Sequence, residues 1–495
     1  MEQGPSYLNF VCALNGMEPV PLDRPYTCFE LGFGRGLTAN VLAAGNPNGK
    51  FYAADFNPAH VAGAQAMADA AQLDNLVLLE HNFAELAQGK ADLPPFDFIT
   101  LHGIYTWVNA ENRQHIIDFI ARYLKPGGIV YISYNCMPGW TAALPLQRLL
   151  VEYADAFPHQ SETGFTGAAA FLKQLQALDA GYFTQNPSVE QKLDVVGKGD
   201  ESYLVHEYMH KHWQPMYHAD VVRDVAAAKL DFVGSANLPF AFPGLYLNQE
   251  RQDMLATMPN AALRETIKDY FLNTGFRRDV FVRGARKMSI VRQFECLAQY
   301  GLVLMVPRSA CTLQMKVSFG KLTGTEELYT PVFDALAQRP HTLAELAALP
   351  SLQGHNVGMM AQVAALLTAS GQASLYHRDG AQTDPAPGRR LNRYLAAQVR
   401  YGDEYRVLAT PLAGSGIETD LMMRLVYWIL TSQQGQIDLP TLQQQVWQAF
   451  HAMGRKVMKG GVVLDGDDEN RAELNIKVEE LVRDKLPLWR QLKIL

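Results

Sequence analysis

The sequence predicts an α/β fold: a Rossmann-like domain on a parallel sheet, then a mainly helical region, then a winged-helix-like, mostly α C-terminal domain. Three observations carry the first part. Residues 26–30 have strand character and run into a loop holding Gly32, Gly34 and Gly36, and a helical stretch, 37–44, follows at once. A second apolar strand, 51–54, ends in Asp55. Strands and helices then alternate as far as Tyr134, which demands right-handed crossovers and a parallel sheet.

Taken in order, each element has a local reason. Residues 1–25 carry Pro19, Pro21 and Pro25 ahead of the first strand. Proline lacks an amide donor and holds the chain extended, so this lead-in is expected to wrap the core's edge. The glycine loop offers main chain that no Cβ obstructs, a feature shared by phosphate, dinucleotide and S-adenosylmethionine (SAM) sites. Asp55, 19 residues after Gly36, can accept both ribose hydroxyls of NAD or of SAM. Three details favour SAM. Glu30 lies two residues before the first glycine, near where a cationic amino-acid tail would sit. The glycines have G-x-G-x-G spacing, and Lys125-Pro126-Gly127-Gly128 forms a turn that opens a strand.

Asn57 caps a helix with Pro58 at its first position, running to about Gln72. The third strand is 76–80 with His81-Asn82-Phe83 as its exit, the fourth is 96–101, a helix covers 111–124, and the fifth strand is 129–134. Ligands of such sheets bind at the strands' C-terminal ends. There lie two polar and aromatic loops, His102–Val108 and Tyr134–Trp140. Tyr105, Trp107, Tyr134 and Trp140 could flank an amine by cation–π contact; for any one ring alone, packing at the rim is the plainer reading.

Past Trp140 the pattern turns helical, with candidates at 144–156 and 168–178. His206, His210 and His218 invite a metal site, but no further ligand spacing supports one, and packing or substrate contact is preferred. A helix at 220–230 leads into a strand at 231–234, where the sheet resumes. Residues 277–292 hold six basic side chains and Asp279, read as a solvated, salt-bridged face. Helical runs at 329–338, 342–349 and 355–370 precede a strand at 373–377, the order of a winged helix. The third run has no Lys or Arg, so DNA binding is not expected. Residues 380–390 read as a linker. The expected domains are 1–140, 141–307 and 308–495.

Composition sets the outer limits. A net charge of −7 argues against a general nucleic-acid binder. Five cysteines without a C-x-x-C argue against structural disulfides and a cysteine zinc site. No apolar stretch is long enough to cross a bilayer, and no secretion signal is apparent, so a cytoplasmic protein without membrane insertion is expected. A homo-oligomer is compatible with all of this.

The stretches HGIYTWV (102–108) and ISYNCMPGW (132–140), together with 30–36, resemble the bacterial protein lysine methyltransferases of the rickettsial outer-membrane-protein type. His206-Glu207-Tyr208 and residues 277–288 are similar to their methyltransferase regulatory domain, and the last third to their winged-helix region. The resemblance implies a class I SAM methyltransferase acting on a protein, with Glu30, Gly32, Gly34, Gly36, Asp55, Asn82, Phe83 and His102 around the cofactor. It also implies His102 or Tyr105 as proton acceptor or relay, Trp107 and Tyr134 around the amine, and Asn135 orienting it. Two departures stand out: a shorter N-terminal segment, and Asn82 where the family has an adenine-facing Asp. The alternatives are a small-molecule or RNA methyltransferase, a non-catalytic SAM-binding scaffold and a dehydrogenase.

Overall fold

In the computed structural model, which describes residues 2–157, 164–187, 189, 211–433 and 437–495, the expected sheet is present and gains two later strands. Helix α1 (Pro5–Leu14) precedes β1 (Tyr26–Leu31), α2 (Leu37–Gly45), β2 (Gly49–Asp55), α3 (Pro58–Ala71) and β3 (Leu76–Glu80). Then come α4 (Phe83–Gln88), β4 (Phe96–Leu101), α5 (Ala110–Tyr123) and β5 (Leu124–Asn135). Strands β6 (Leu230–Ser235) and β7 (Phe276–Arg283) complete a seven-stranded sheet of order β3-β2-β1-β4-β5-β7-β6. β1 to β5 are parallel, and β7 runs antiparallel between β5 and β6. The chain order reverses between β1 and β4, which opens a crevice above their carboxyl ends.

Three expectations need correction. The lead-in is not simply an extended wrapper, because Pro5 opens a ten-residue helix, α1. Proline is tolerated there since the first-turn amides have no intrahelical partner. Leu8, Phe10, Val11, Cys12 and Ala13 are fully buried, and the Phe10 ring meets that of Tyr300 at 4.9 Å. Next, only the second half of 277–292 is a solvated face: its first seven residues belong to β7, an inner strand on which Arg277 is buried, whereas 284–292 is largely exposed. Last, the supposed linker 380–390 runs into the helix Ala386–Ala397, whose Leu391 and Leu395 join Ala39, Ala64 and Met67 of α2 and α3 in one cluster.

The C-terminal third therefore docks on the first domain. Strand Tyr300–Leu304 pairs antiparallel with His341–Thr342 and Ala373–His377, alongside helices Glu326–Gln338, Leu343–Ala347 and Val357–Ala369. Helix Val357–Ala369 buries Met360, Val363, Ala364 and Leu367, so its apolar run serves the core. Asn46 at the end of α2 donates to the Gly414 carbonyl at 2.7 Å, and Arg35 of the glycine loop pairs with Glu404 at 3.1 Å.

Candidate active site

The glycine loop is bent by backbone that only glycine adopts readily. Gly32, Gly34 and Gly36 have φ of +67°, +57° and +74°. A Cβ on Gly36 would stand 2.3 Å from Ala64 Cβ, so that glycine lets the loop close on α3. A Cβ on Gly34 would meet nothing within 4 Å, which leaves bare main chain facing open space. Asp55 ends β2 and is nearly buried. Its Oδ2 accepts from the Gly34 N–H at 2.9 Å, and its Oδ1 accepts from the Asn57 N–H at 2.9 Å and lies 3.2 Å from His60 Nδ1. Asp55 thus braces the loop, with one of about four lone-pair positions left over.

Glu30 sits at the end of β1, one residue before the strand closes. Its Oε2 is enclosed and has no hydrogen-bond partner among the described residues. Burial pushes its carboxyl up to about 8. At the end of β3, Asn82 caps α4: its Oδ1 accepts from the Glu85 N–H at 2.9 Å, and Glu85 Oε2 accepts from its own N–H at 3.1 Å. Phe83 follows and reaches towards Gly32, from whose would-be Cβ its ring is 3.8 Å.

His102 ends β4. Its Nδ1 is 2.9 Å from the Tyr131 hydroxyl, and the Phe276 ring stands edge-on at 6.0 Å. The ring is accessible, yet desolvation by the surrounding protein, helped by Arg278, pushes its pKa down to about 4. His102 is therefore neutral near pH 7. Burial, with the nearby Glu2 carboxylate that pairs with Arg278, holds the Tyr131 hydroxyl well above its ordinary pKa. Neither Glu2 nor Tyr131 is signalled by any motif.

The aromatic loops behave differently from the expectation. Tyr105 is fully buried and its hydroxyl donates to Asp224 at 2.9 Å. Tyr134 is equally buried and donates to Asp279 at 2.6 Å. Trp107 is buried in a cluster with Trp140 and Trp213. Among the described residues all three are turned inward: Asp224 of helix His218–Val225 holds Tyr105, Asp279 of β7 holds Tyr134, and Trp107 packs in the tryptophan cluster. Asn135 does end β5 beside Phe276, its register partner on β7; its N–H donates to Thr106 Oγ1 at 3.2 Å and its carbonyl accepts from the Met216 N–H at 3.0 Å.

Behind these strand ends lies a buried charge network that sequence reading missed. Arg277 donates from Nε to Asp279 at 2.9 Å, from Nη1 to Asp269 at 2.8 Å and from Nη2 to Glu265 at 3.2 Å. His218 Nδ1 lies 2.9 Å from Asp279, so the one described histidine of the metal-like trio belongs to this network. His206 and His210 fall outside the described residues. Burial opposes ionisation of Asp279, but Arg277 and His218 outweigh it and hold the carboxyl at about 2. The available signal was Arg-Arg-Asp set against Val280-Phe281-Val282, charges within a buried strand.

Residues 22–212 match the model of a methyltransferase domain, and residues 200–283 that of a predicted methyltransferase regulatory domain. An uncharacterized protein of Synechocystis is 34% identical over 100% of this chain and 96% of its own length. An uncharacterized protein of Rickettsia prowazekii is 24% identical over 41% of this chain and 80% of its own length. Among solved structures, PKMT2 of Rickettsia typhi in complex with AdoHcy superposes with a TM-score of 0.70 at 17% identity, covering 97% of each chain. That likeness takes in the C-terminal third as well as the sheet.

Proposed function

Because this chain belongs to the class I SAM-dependent methyltransferases that carry a methyltransferase regulatory domain, we propose that it methylates the side-chain amine of lysine in a protein substrate. The observation that carries the substrate class is the meeting of neutral His102, Phe276 and Asn135 at strand ends beside an open cleft of about 820 Å³ that Phe276 lines.

The chain's residues fit SAM. An enclosed, unpartnered Glu30 oxygen under a bare loop suits the cofactor's ammonium, and the spare lone pair of Asp55 suits a ribose hydroxyl. Asn82 and Phe83 stand at the end of β3, where adenine would lie. The relative bound to AdoHcy, SAM's demethylated product, supports the same cofactor here. When bound, SAM supplies an electrophilic methyl group on a sulfonium. A lysine near pKa ~10.4 must lose its proton before its nitrogen can react. Desolvation against Phe276 and the Arg278 cation favour the neutral amine. The neutral His102 ring would orient the amine and pass its proton to solvent. Catalysis by this chain is alignment and desolvation above all.

The test is incubation of the purified protein with methyl-labelled SAM and extracts of cells lacking the gene, followed by mass spectrometry. Label on lysine of a protein is expected. Label only in RNA or in the low-molecular-weight fraction would replace the substrate assignment, and tight SAM binding without any label would leave a scaffold.

A further inference from the structure

Two clefts of about 760 and 820 Å³ meet at Asn237, Arg278 and Ser318. Between them stands a hairpin of strands Gln314–Val317 and Gly320–Thr323. Its tip residue Phe319 packs on Phe240 and Tyr246 at 5.6 and 5.1 Å, so the hairpin is anchored. Lys316 lines the first cleft, Lys321 the second, and the two are register partners on opposite strands. Like charges directly opposite each other on a hairpin repel. Both lysines are exposed, and among the described residues no carboxylate lies within ion-pair distance of either.

All but one of the acids lining the clefts, Glu418, are already paired. Glu265 and Asp269 are held by Arg277 and Lys268, and Glu2 by Arg278. Glu418 is exposed in the first cleft, where Lys485, which donates to the Met305 carbonyl at 3.2 Å, balances it in formal charge only. Arg251, on the wall of the second, rests over the Phe271 ring and adds a further uncompensated cation. The clefts are thus positive in a chain of net charge −7. Their walls also carry apolar side chains such as Val317, Leu322 and Leu375. The second cleft opens at Phe276, whose ring reaches His102.

We propose that these joined clefts dock an acidic, extended segment of the substrate protein beside its target lysine, with Lys316 and Lys321 as the anchoring pair. The proposal rests on the lysine reading given above. An anionic segment would relieve the repulsion of the two lysines while its apolar side chains cover the walls. Nucleic acid fits less well, since a phosphate chain needs a denser array of cations and little apolar wall.

The experiment uses the full chain and fluorescein-labelled peptides of about a dozen residues, each with one lysine. The flanks are rich in Glu and Asp, in Gln and Asn, or in Arg. Anisotropy is read with S-adenosylhomocysteine present, so no turnover is needed. The acidic peptide should bind at least tenfold tighter than the others, and more weakly as salt rises. Lys316→Glu with Lys321→Glu should weaken it by about tenfold or more while SAM affinity stays unchanged. Lys90→Glu with Lys456→Glu, exposed and away from the clefts, should change nothing. Equal binding of all flanks, or indifference to the Lys316 and Lys321 reversals, overturns the proposal. So does a single-stranded RNA that binds in a Lys316-dependent way where acidic peptides do not. Binding without methylation of any lysine keeps the docking surface and removes the lysine reading; methylation of lysine peptides regardless of flank does the opposite.

Discussion

A carboxylate enclosed without a cation is costly as an anion, and Glu30 keeps its proton up to about pH 8 as a result. If it meets the cofactor's ammonium, binding must expel that proton at lower pH. SAM affinity should then fall by up to about tenfold per unit as pH drops from 7.5 to 6, and calorimetry in buffers of different ionisation enthalpy should show proton release. Glu30→Gln should bind more weakly and lose that pH dependence; a wild-type affinity flat over this range would remove Glu30 from the cofactor. Tyr105 leads to a different expectation. Its hydroxyl is committed to Asp224, so Tyr105→Phe should cost about 1–3 kcal/mol in a thermal or urea melt and leave methyl transfer per folded molecule nearly unchanged. A stable variant with a hundredfold rate loss would restore Tyr105 to proton transfer. The glycine loop was legible because its geometry is dictated within a few residues. The inward turn of Tyr105 and Tyr134 was not, since their partners lie 119 and 145 residues further on.

Elements meet at the network around β7, where Asp279 holds Tyr134 of β5 and His218 of helix His218–Val225, and Arg277 links it to helix Ala261–Leu272. Removing Arg277 would leave Glu265, Asp269 and Asp279 buried together without their main counter-charge. Arg277→Ala should destabilise the fold by about 3–5 kcal/mol, measured by denaturant melts. Asp279 sets an acid limit as well. Its folded pKa is depressed to about 2, so its stabilisation is complete above the unfolded value near ~3.9 and is lost as pH falls towards 2. Asp279→Asn should therefore flatten the acid limb of stability between about pH 4 and 2. An unchanged acid limb would mean that other carboxylates govern it. Periodicity located most strands and helices of the first sheet to within a few residues, but β5 begins at Leu124 and takes in the expected Lys125–Gly128 turn, and α4 was missed. It placed the whole basic run 277–292 on the surface because charge was weighed without its distant acids. The helix of the lead-in was masked by prolines that in fact lie after it.

At the scale of the molecule, the C-terminal third does not hang from a linker. Leu391 and Leu395 are fully buried against α2 and α3, the helices that follow the glycine loop and Asp55. Asn46 and Arg35 add polar contacts to the same interface. The sequence hid this interface because Pro385 and Gly388 read as linker residues, although Pro385 precedes the helix and Gly388 lets it approach Pro411, whose Cγ would be 2.8 Å from a Cβ there. The loop that would hold the cofactor is thus braced from below by residues some 350 positions later in the chain, as Asn46 to Gly414 measures with its separation of 368. Truncating two buried leucines in one shared core should cost about 2–5 kcal/mol each. If the interface is part of one cooperative unit, Leu391→Ala with Leu395→Ala lowers a single melting transition and weakens SAM binding, though neither residue lies at the site. Calorimetric scans with and without SAM decide the matter. Two separated transitions, with the SAM-sensitive one unmoved by the double substitution, would show that the catalytic domain folds and binds without its C-terminal neighbour.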